Sequence, residues 1–169
     1  DLCAVATDGH RLALTRQGLP SGAAGMPSII VPRKAVTELR KLLDDVEGEV
    51  GVALSDTRAE FTFGAVRLKT KLIDGTFPDY TRVIPQGNDR IMQVDAASFS
   101  AAVDRVSTIS SEKSRSVKMK LAPGVLNLSA SSTDASSAVE ELEISYDGAE
   151  MEIGFNARYL LDIASQVES

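Results

Sequence analysis

Two short apolar stretches, LCAVAT and RLALTR, flank Asp8-Gly9, a dipeptide that tolerates the positive φ of a tight turn, so a two-stranded hairpin is expected there. Gly18, Pro20, Gly22 and Gly25 then read as a loop. The next run, SIIVPRKAVTELRKLLDD, reads as a strand entering a helix, with Pro32 at its start and Val36, Leu39 and Leu43 on one stripe. Val50, Val52 and Leu54 alternate, as do Phe61 with Phe63 and Val66 with Leu68, the phase changing across Gly64-Ala65; three meandering strands follow. LIDGTFPDYTRVIP breaks both periods at Gly75, Pro78 and Pro85 and marks a candidate domain boundary.

The second half repeats the first. IMQVDAASFSAAVDRVST is again strand then helix, with Asp95 as N-cap and Phe99, Ala102 and Val106 on its stripe. Strands are expected around Val117, Met119 and Leu121, around Leu126 and Leu128, and around Leu142, Ile144 and Tyr146, with Asp147-Gly148 as the next turn. MEIGFNARYLLDIASQVES is a third strand-to-helix unit, with Leu160, Ile163 and Val167 as its stripe. Aligning Val31, Val94 and Phe155 superimposes the three stripes at separations of 63 and 61 residues. The fold class is therefore α+β: repeated units of one helix plus short antiparallel strands, the helices on one face of the sheets.

Composition narrows the function. At 169 residues and 43% apolar the chain can fill one full core or two small ones. Its single Cys3 excludes an internal disulfide, and Cys3 with His10 is too little for a soft-ligand metal site, so no metal and no cofactor is expected and a cytoplasmic setting is. No apolar run approaches the roughly 18 residues of a membrane span, and no signal segment opens the chain. Its start at Asp1, and a third unit that stops just after its helix, suggest a piece of a longer protein. The net charge of −6 argues against nucleic acid only until it is resolved by segment. Residues 121–157 contain no Lys or Arg and seven acidic side chains, whereas residues 1–120 hold 17 basic and 15 acidic groups.

Candidate chemistry is sparse. Asp8 and His10 could orient a general base for a nucleophilic serine, which keeps a hydrolase open as an alternative, but there is no G-x-S-x-G elbow. Glu140, Glu141 and Glu143 could hold a cation; their alternation with Leu142 and Ile144 places most of them on a solvent face. DGHRLA lacks the spacing of a phosphate-binding glycine loop. The cations are more suggestive. Arg33, Lys34, Arg40 and Lys41 lie off the stripe of the first helix, Arg105 flanks the second with Lys113 and Arg115 just beyond, and Arg158 is on the third. If the repeated helices line one surface, these form a track suited to phosphate backbone and unsuited to reading bases.

Four blocks then coincide with a known family. ATDGHRLA, VPRKAVTEL, DGTFPDYTRVIP and GAEMEIGFNARYLLD, in this order, resemble the bacterial DNA polymerase III beta subunit, the replication sliding clamp. The resemblance implies residues 1–79 as most of the middle clamp domain and 80–169 as part of the third, in a three-domain protomer whose homodimer closes a ring around double-stranded DNA without reading sequence. It implies a non-catalytic processivity factor that tethers the replicative polymerase, the clamp loader and other proteins carrying a clamp-binding peptide. The peptide pocket would comprise Thr7, Gly9, His10, Arg11 and Leu12, with Pro78, Arg82 and Val83, and with Asn156 and Tyr159. Arg33, Lys34, Lys41 and Arg105 would face DNA. Thr108 and Ile109, where the family commonly has two aliphatic residues, would meet the other protomer, and Ser114 stands where the family often has Phe. A peptide-binding scaffold with no DNA role is the other alternative.

Overall fold

Helices begin at Arg33, Ala96 and Ala157, so the 63- and 61-residue periods of the sequence recur as the spacing of three real elements. The structure is a computed structural model that describes residues 1–44, 46–110, 115–132 and 136–167. It divides into two units, Asp1–Ile84 and Pro85–Ser169, and within each the strands are antiparallel. The α+β class follows directly.

In the first unit β1 (Leu2–Thr7) and β2 (Leu12–Gln17) form a hairpin with Thr7 opposite Leu12. The connection is thus four residues, not the two-residue turn expected from Asp8-Gly9, because side-chain bonds of Thr7 and Asp8 close a wider loop. α1 (Arg33–Leu43) follows, capped by Pro32, whose carbonyl accepts the N–H of Ala35 at 2.9 Å. The expected strand at SIIV does not form; one backbone bond, Ile73 N–H to the Ile30 carbonyl at 2.9 Å, is its remnant. β3 (Gly51–Leu54), β4 (Arg58–Phe63) and β5 (Val66–Lys71) make the meander in sequential order.

α1 buries the stripe read from the sequence only in part. Val36 is 52% exposed, whereas Ala35 is buried and Leu39 and Leu43 are half-buried. Ala35, Leu39 and Leu43 are spaced by four, so the line keeps Leu39 and Leu43 and starts at Ala35 in place of Val36.

The second unit has the larger core. α2 (Ala96–Ser107) packs on a four-stranded sheet of order β8-β7-β6-β9, made of β6 (Ser116–Ala122), β7 (Val125–Ser131), β8 (Ser137–Glu143) and β9 (Met151–Asn156). Val103, Val106, Val117, Leu126 and Leu128 are fully buried between helix and sheet. Each such aliphatic side chain contributes about 1.5–3 kcal/mol. The expected strand at IMQV contracts to a single bridge, in which Gln93 and Ser145 exchange backbone bonds at 2.9 and 3.0 Å. α3 (Ala157–Ala164) turns Ala157, Leu160 and Leu161 inward, while Ile163 and Val167, read as core, are 56% and 57% exposed. The inward set is the i, i+3, i+4 face that starts at the cap, and the expected stripe lies on its flank.

Candidate functional site

The hairpin loop is a closed hydrogen-bond network. The Thr7 hydroxyl donates to the Arg11 carbonyl at 2.8 Å and accepts from the Gly9 N–H at 3.2 Å. Asp8 Oδ1 accepts from the N–H groups of His10 and Arg11, each at 3.1 Å, and Oδ2 accepts from Arg11 Nε at 3.1 Å. These donors, the His10 N–H foremost, hold the Asp8 carboxyl below its ordinary pKa. Gly9 completes the turn at φ +87°. The network gathers five expected site residues, Thr7, Gly9, His10, Arg11 and Leu12, around one loop. It also commits the Asp8 carboxylate to three donors of the loop itself.

A second cluster joins the hairpin to the segment after β5. Tyr80–Arg82 form a single 3₁₀ turn capped by Asp79, whose Oδ1 accepts from the Thr81 N–H at 3.2 Å and the Thr81 hydroxyl at 2.6 Å. The Tyr80 hydroxyl lies 3.6 Å from Cys3 Sγ. Arg16, opposite Cys3 across β1 and β2, is bonded first to Tyr80 and then to Cys3, which holds its guanidinium above its ordinary pKa. Arg82 ends this turn, Pro78 and Val83 flank it, and all three are exposed, Val83 at 67%. Arg16 and Tyr80 were not singled out from sequence, and Cys3 was weighed there only for a disulfide or a metal site. Tyr80 lies 77 residues from Cys3, and only the paired strands reveal the cluster.

Asn156 and Tyr159 belong to the second unit. Asn156 ends β9 and caps α3, its Oδ1 accepting from the Arg158 N–H at 3.0 Å, and Tyr159 is half-buried in the first turn. Asn is a preferred cap because its side chain satisfies a donor that has no partner within the helix.

The helix cations divide. Arg33 and Lys34 project from the first turn of α1 and are exposed; Lys41 pairs with Glu38 at 3.3 Å. Arg105, expected as a solvent cation, is instead held bidentately by Glu140, Nε to Oε1 at 2.6 Å and Nη2 to Oε2 at 2.8 Å. The pair raises the Arg105 pKa and lowers that of Glu140. The sequence marked Glu140 as a solvent-face carboxylate but not as the partner of Arg105; α2 packing on β8 brings them together. Thr108 caps the C-terminal end of α2, its hydroxyl donating to the Arg105 carbonyl at 2.6 Å, and Ile109 is half-buried. Lys113 and Ser114 lie outside the described residues. Among the described residues no group of three His, Cys, Asp or Glu side chains could hold a metal ion, and no helix is long and apolar enough to cross a membrane.

The matches to known proteins also fall into two parts, which meet a few residues before the Ile84–Pro85 division of the fold. A family model described as "DNA polymerase III beta subunit, central domain" matches residues 1–79, and one described as "DNA polymerase III beta subunit, C-terminal domain" matches 81–169. The beta sliding clamp of Caulobacter vibrioides is 52% identical over 166 residues, which cover 98% of this chain and 45% of the relative. That of Escherichia coli K12 is 37% identical over 172 residues, 99% of this chain and 46% of the relative. The crystal structure of a Bartonella birtlesii sliding clamp bound to griselimycin is 52% identical, with a TM-score of 0.95 over 99% of this chain and 45% of that one. The chain thus spans less than half the length of the relatives it matches. Two consecutive domain matches, the identity and the shared fold all agree: the chain belongs to the DNA polymerase III beta subunit family, the beta sliding clamps.

Proposed function

We propose that residues 1–79 form most of the middle domain and 80–169 the first part of the third domain of a DNA sliding clamp, a non-catalytic processivity factor working in the bacterial cytoplasm. The observation that carries this is the match along 98% of the chain to a clamp at 52% identity. In the intact protein, a homodimeric ring encircling duplex DNA is retained by topology. Its phosphate contacts need only be weak and exchangeable, which permits sliding. A tethered polymerase then meets its template at high effective concentration.

The partner-peptide residues are Thr7, Gly9, His10, Arg11 and Leu12 with Pro78, Arg82, Val83, Asn156 and Tyr159. The rigid loop supports this reading: pre-ordered backbone and a few fixed polar groups reduce the entropy an incoming peptide must lose. A relative solved with griselimycin shows that a clamp of this family takes a ligand. Arg33, Lys34, Lys41 and Arg105 are the DNA-facing cations, and Thr108 and Ile109 the contact with the other protomer.

The test is primer extension on a long template with the parent protein and its replicative polymerase. Long products that depend on the parent protein are expected; an unchanged product length overturns the proposal. One observation favours a peptide scaffold without a DNA role: two of the four cations, Lys41 and Arg105, are paired with carboxylates. Lys34→Gln with Lys41→Gln separates the readings, since a scaffold would keep its retention on DNA unchanged.

A further inference from the structure

One face of the sheet β3-β4-β5 carries four cations and a single carboxylate. In the register, Thr62 lies opposite Arg67, Glu60 opposite Lys69 and Arg58 opposite Lys71, so these six side chains share one face. The other face holds Ala59 and Phe63, both buried. The cationic face is open, with Arg58, Arg67, Lys69 and Lys71 all exposed. Glu60 is the single carboxylate on these two strands' solvent face and it is shared, Oε1 to Arg67 Nε at 3.2 Å and Oε2 to Lys69 Nζ at 2.8 Å. Among the described residues Arg58 and Lys71 form no ion pair, although they stand directly opposite each other. Like charges on one rung destabilise a sheet. A chain of net charge −6 thus concentrates four cations against one anion on a flat surface.

The remaining chemistry of the face selects its partner. Alternate residues along β5 are about 6.6 Å apart and neighbouring strands about 4.8 Å, so Arg67, Lys69 and Lys71 form one row and Arg58 stands beside its end. Between them lie Thr62 and, on β3, Gly51 and Ala53, which are opposite Thr62 and Glu60. No aromatic or large aliphatic side chain shares this face. A protein partner would need an apolar anchor in the centre of its interface, and an unpaired strand would need aromatic rings for its bases to stack on. The phosphate backbone of a duplex needs neither, only cations placed along it.

We propose that this sheet face is a second duplex-DNA contact surface, which binds phosphates without reading sequence and is separate from the helix residues Arg33, Lys34, Lys41 and Arg105. It does not depend on the helices facing DNA, and the test keeps the two apart.

The experiment is fluorescence anisotropy of the 169-residue chain with a labelled duplex of arbitrary sequence, from low to moderate salt. Arg58→Gln with Lys71→Gln removes the two cations that have no counter-ion and relieves their repulsion, so the melting temperature should hold or rise. Its expected effect is an affinity loss of about tenfold at low salt and a log–log salt slope smaller by about 2. Lys34→Gln with Lys41→Gln is measured in parallel. If the sheet variant weakens binding, the proposal stands whether or not the helix variant does. If the sheet variant leaves affinity and slope unchanged, or the chain binds no duplex at low salt, the proposal fails. It also fails if the sheet variant abolishes binding of a glutamate-rich peptide while duplex binding persists, an outcome that assigns the face to an acidic protein.

Discussion

At Gly9 the backbone takes φ +87°, and nothing lies within 4 Å of the position a Cβ would occupy. The cost of a side chain there is therefore conformational, not steric against neighbours, and Gly9→Ala should destabilise the hairpin by about 1 kcal/mol. Because Gly9 N–H also bonds the Thr7 hydroxyl, distortion should spread to the loop that holds Arg11. Titration of a labelled clamp-binding peptide into the intact parent should then show weaker binding for Gly9→Ala. Equal affinity would separate the loop from the peptide site. This turn was legible in the sequence because its determinants, Thr7, Asp8 and Gly9, are neighbours along the chain. The Arg105–Glu140 pair was not, since its partners are 35 residues apart and meet only through packing of α2 on β8. Charge patterning identified Arg105 as a cation on a helix flank but carried no information about what stood across from it.

At the scale of elements, helix positions and the meander were readable because the 3.6- and 2-residue periods are local properties. Inward faces were less so. Three apolar positions describe a stripe, yet α1 and α3 keep only part of it: the buried residue of each is an alanine, Ala35 or Ala157, while Val36 and Ile163 stay exposed. The strands expected before α1 and α2 shrank to one or two backbone bonds, since an apolar pattern does not by itself specify a partner strand. Caps, in contrast, were readable. Asp95 accepts the Ser98 N–H at 2.8 Å, and its bonds to Ser98 keep its carboxyl below its ordinary pKa of 3.8. The ionised form is thus favoured by folding, so its contribution is complete above the ordinary carboxylate range and disappears as pH falls through the lower folded value. Asp95→Ala should lower the melting temperature at pH 7 while the gap to the unmodified chain narrows toward pH 3. Asp95→Asn, which keeps a capping acceptor without a titrating charge, should retain most of the stability at pH 7. Thermal melts followed by circular dichroism across pH 3–7 would check both; a gap that stays constant with pH would show that the charge is not what the cap contributes.

For the whole molecule, the decisive contrast is between two unequal cores. Among the described residues the first unit buries only Ala35, Ala59 and Phe63 below the surface, whereas the second joins twelve buried residues from Ala102 to Ala157 into one cluster. Burial of apolar surface is the main stabilising contribution available to either. Opening free energies should therefore differ along the chain, with slow amide exchange in α2, β6 and β7 and fast exchange in the β1–β2 hairpin, where no residue is buried. Leu126 is the sharpest probe, since it is fully buried at the centre of the sheet, facing Leu121 and Leu142 on the neighbouring strands. Leu126→Ala should cost about 3 kcal/mol through lost transfer energy and the cavity left behind. If the two units have separate cores, that loss should appear as faster exchange in α2, β6 and β7 while β3, β4 and β5 keep their own rates. Hydrogen exchange read by mass spectrometry distinguishes this from a single cooperative body, in which one substitution would accelerate exchange in both units by the same factor.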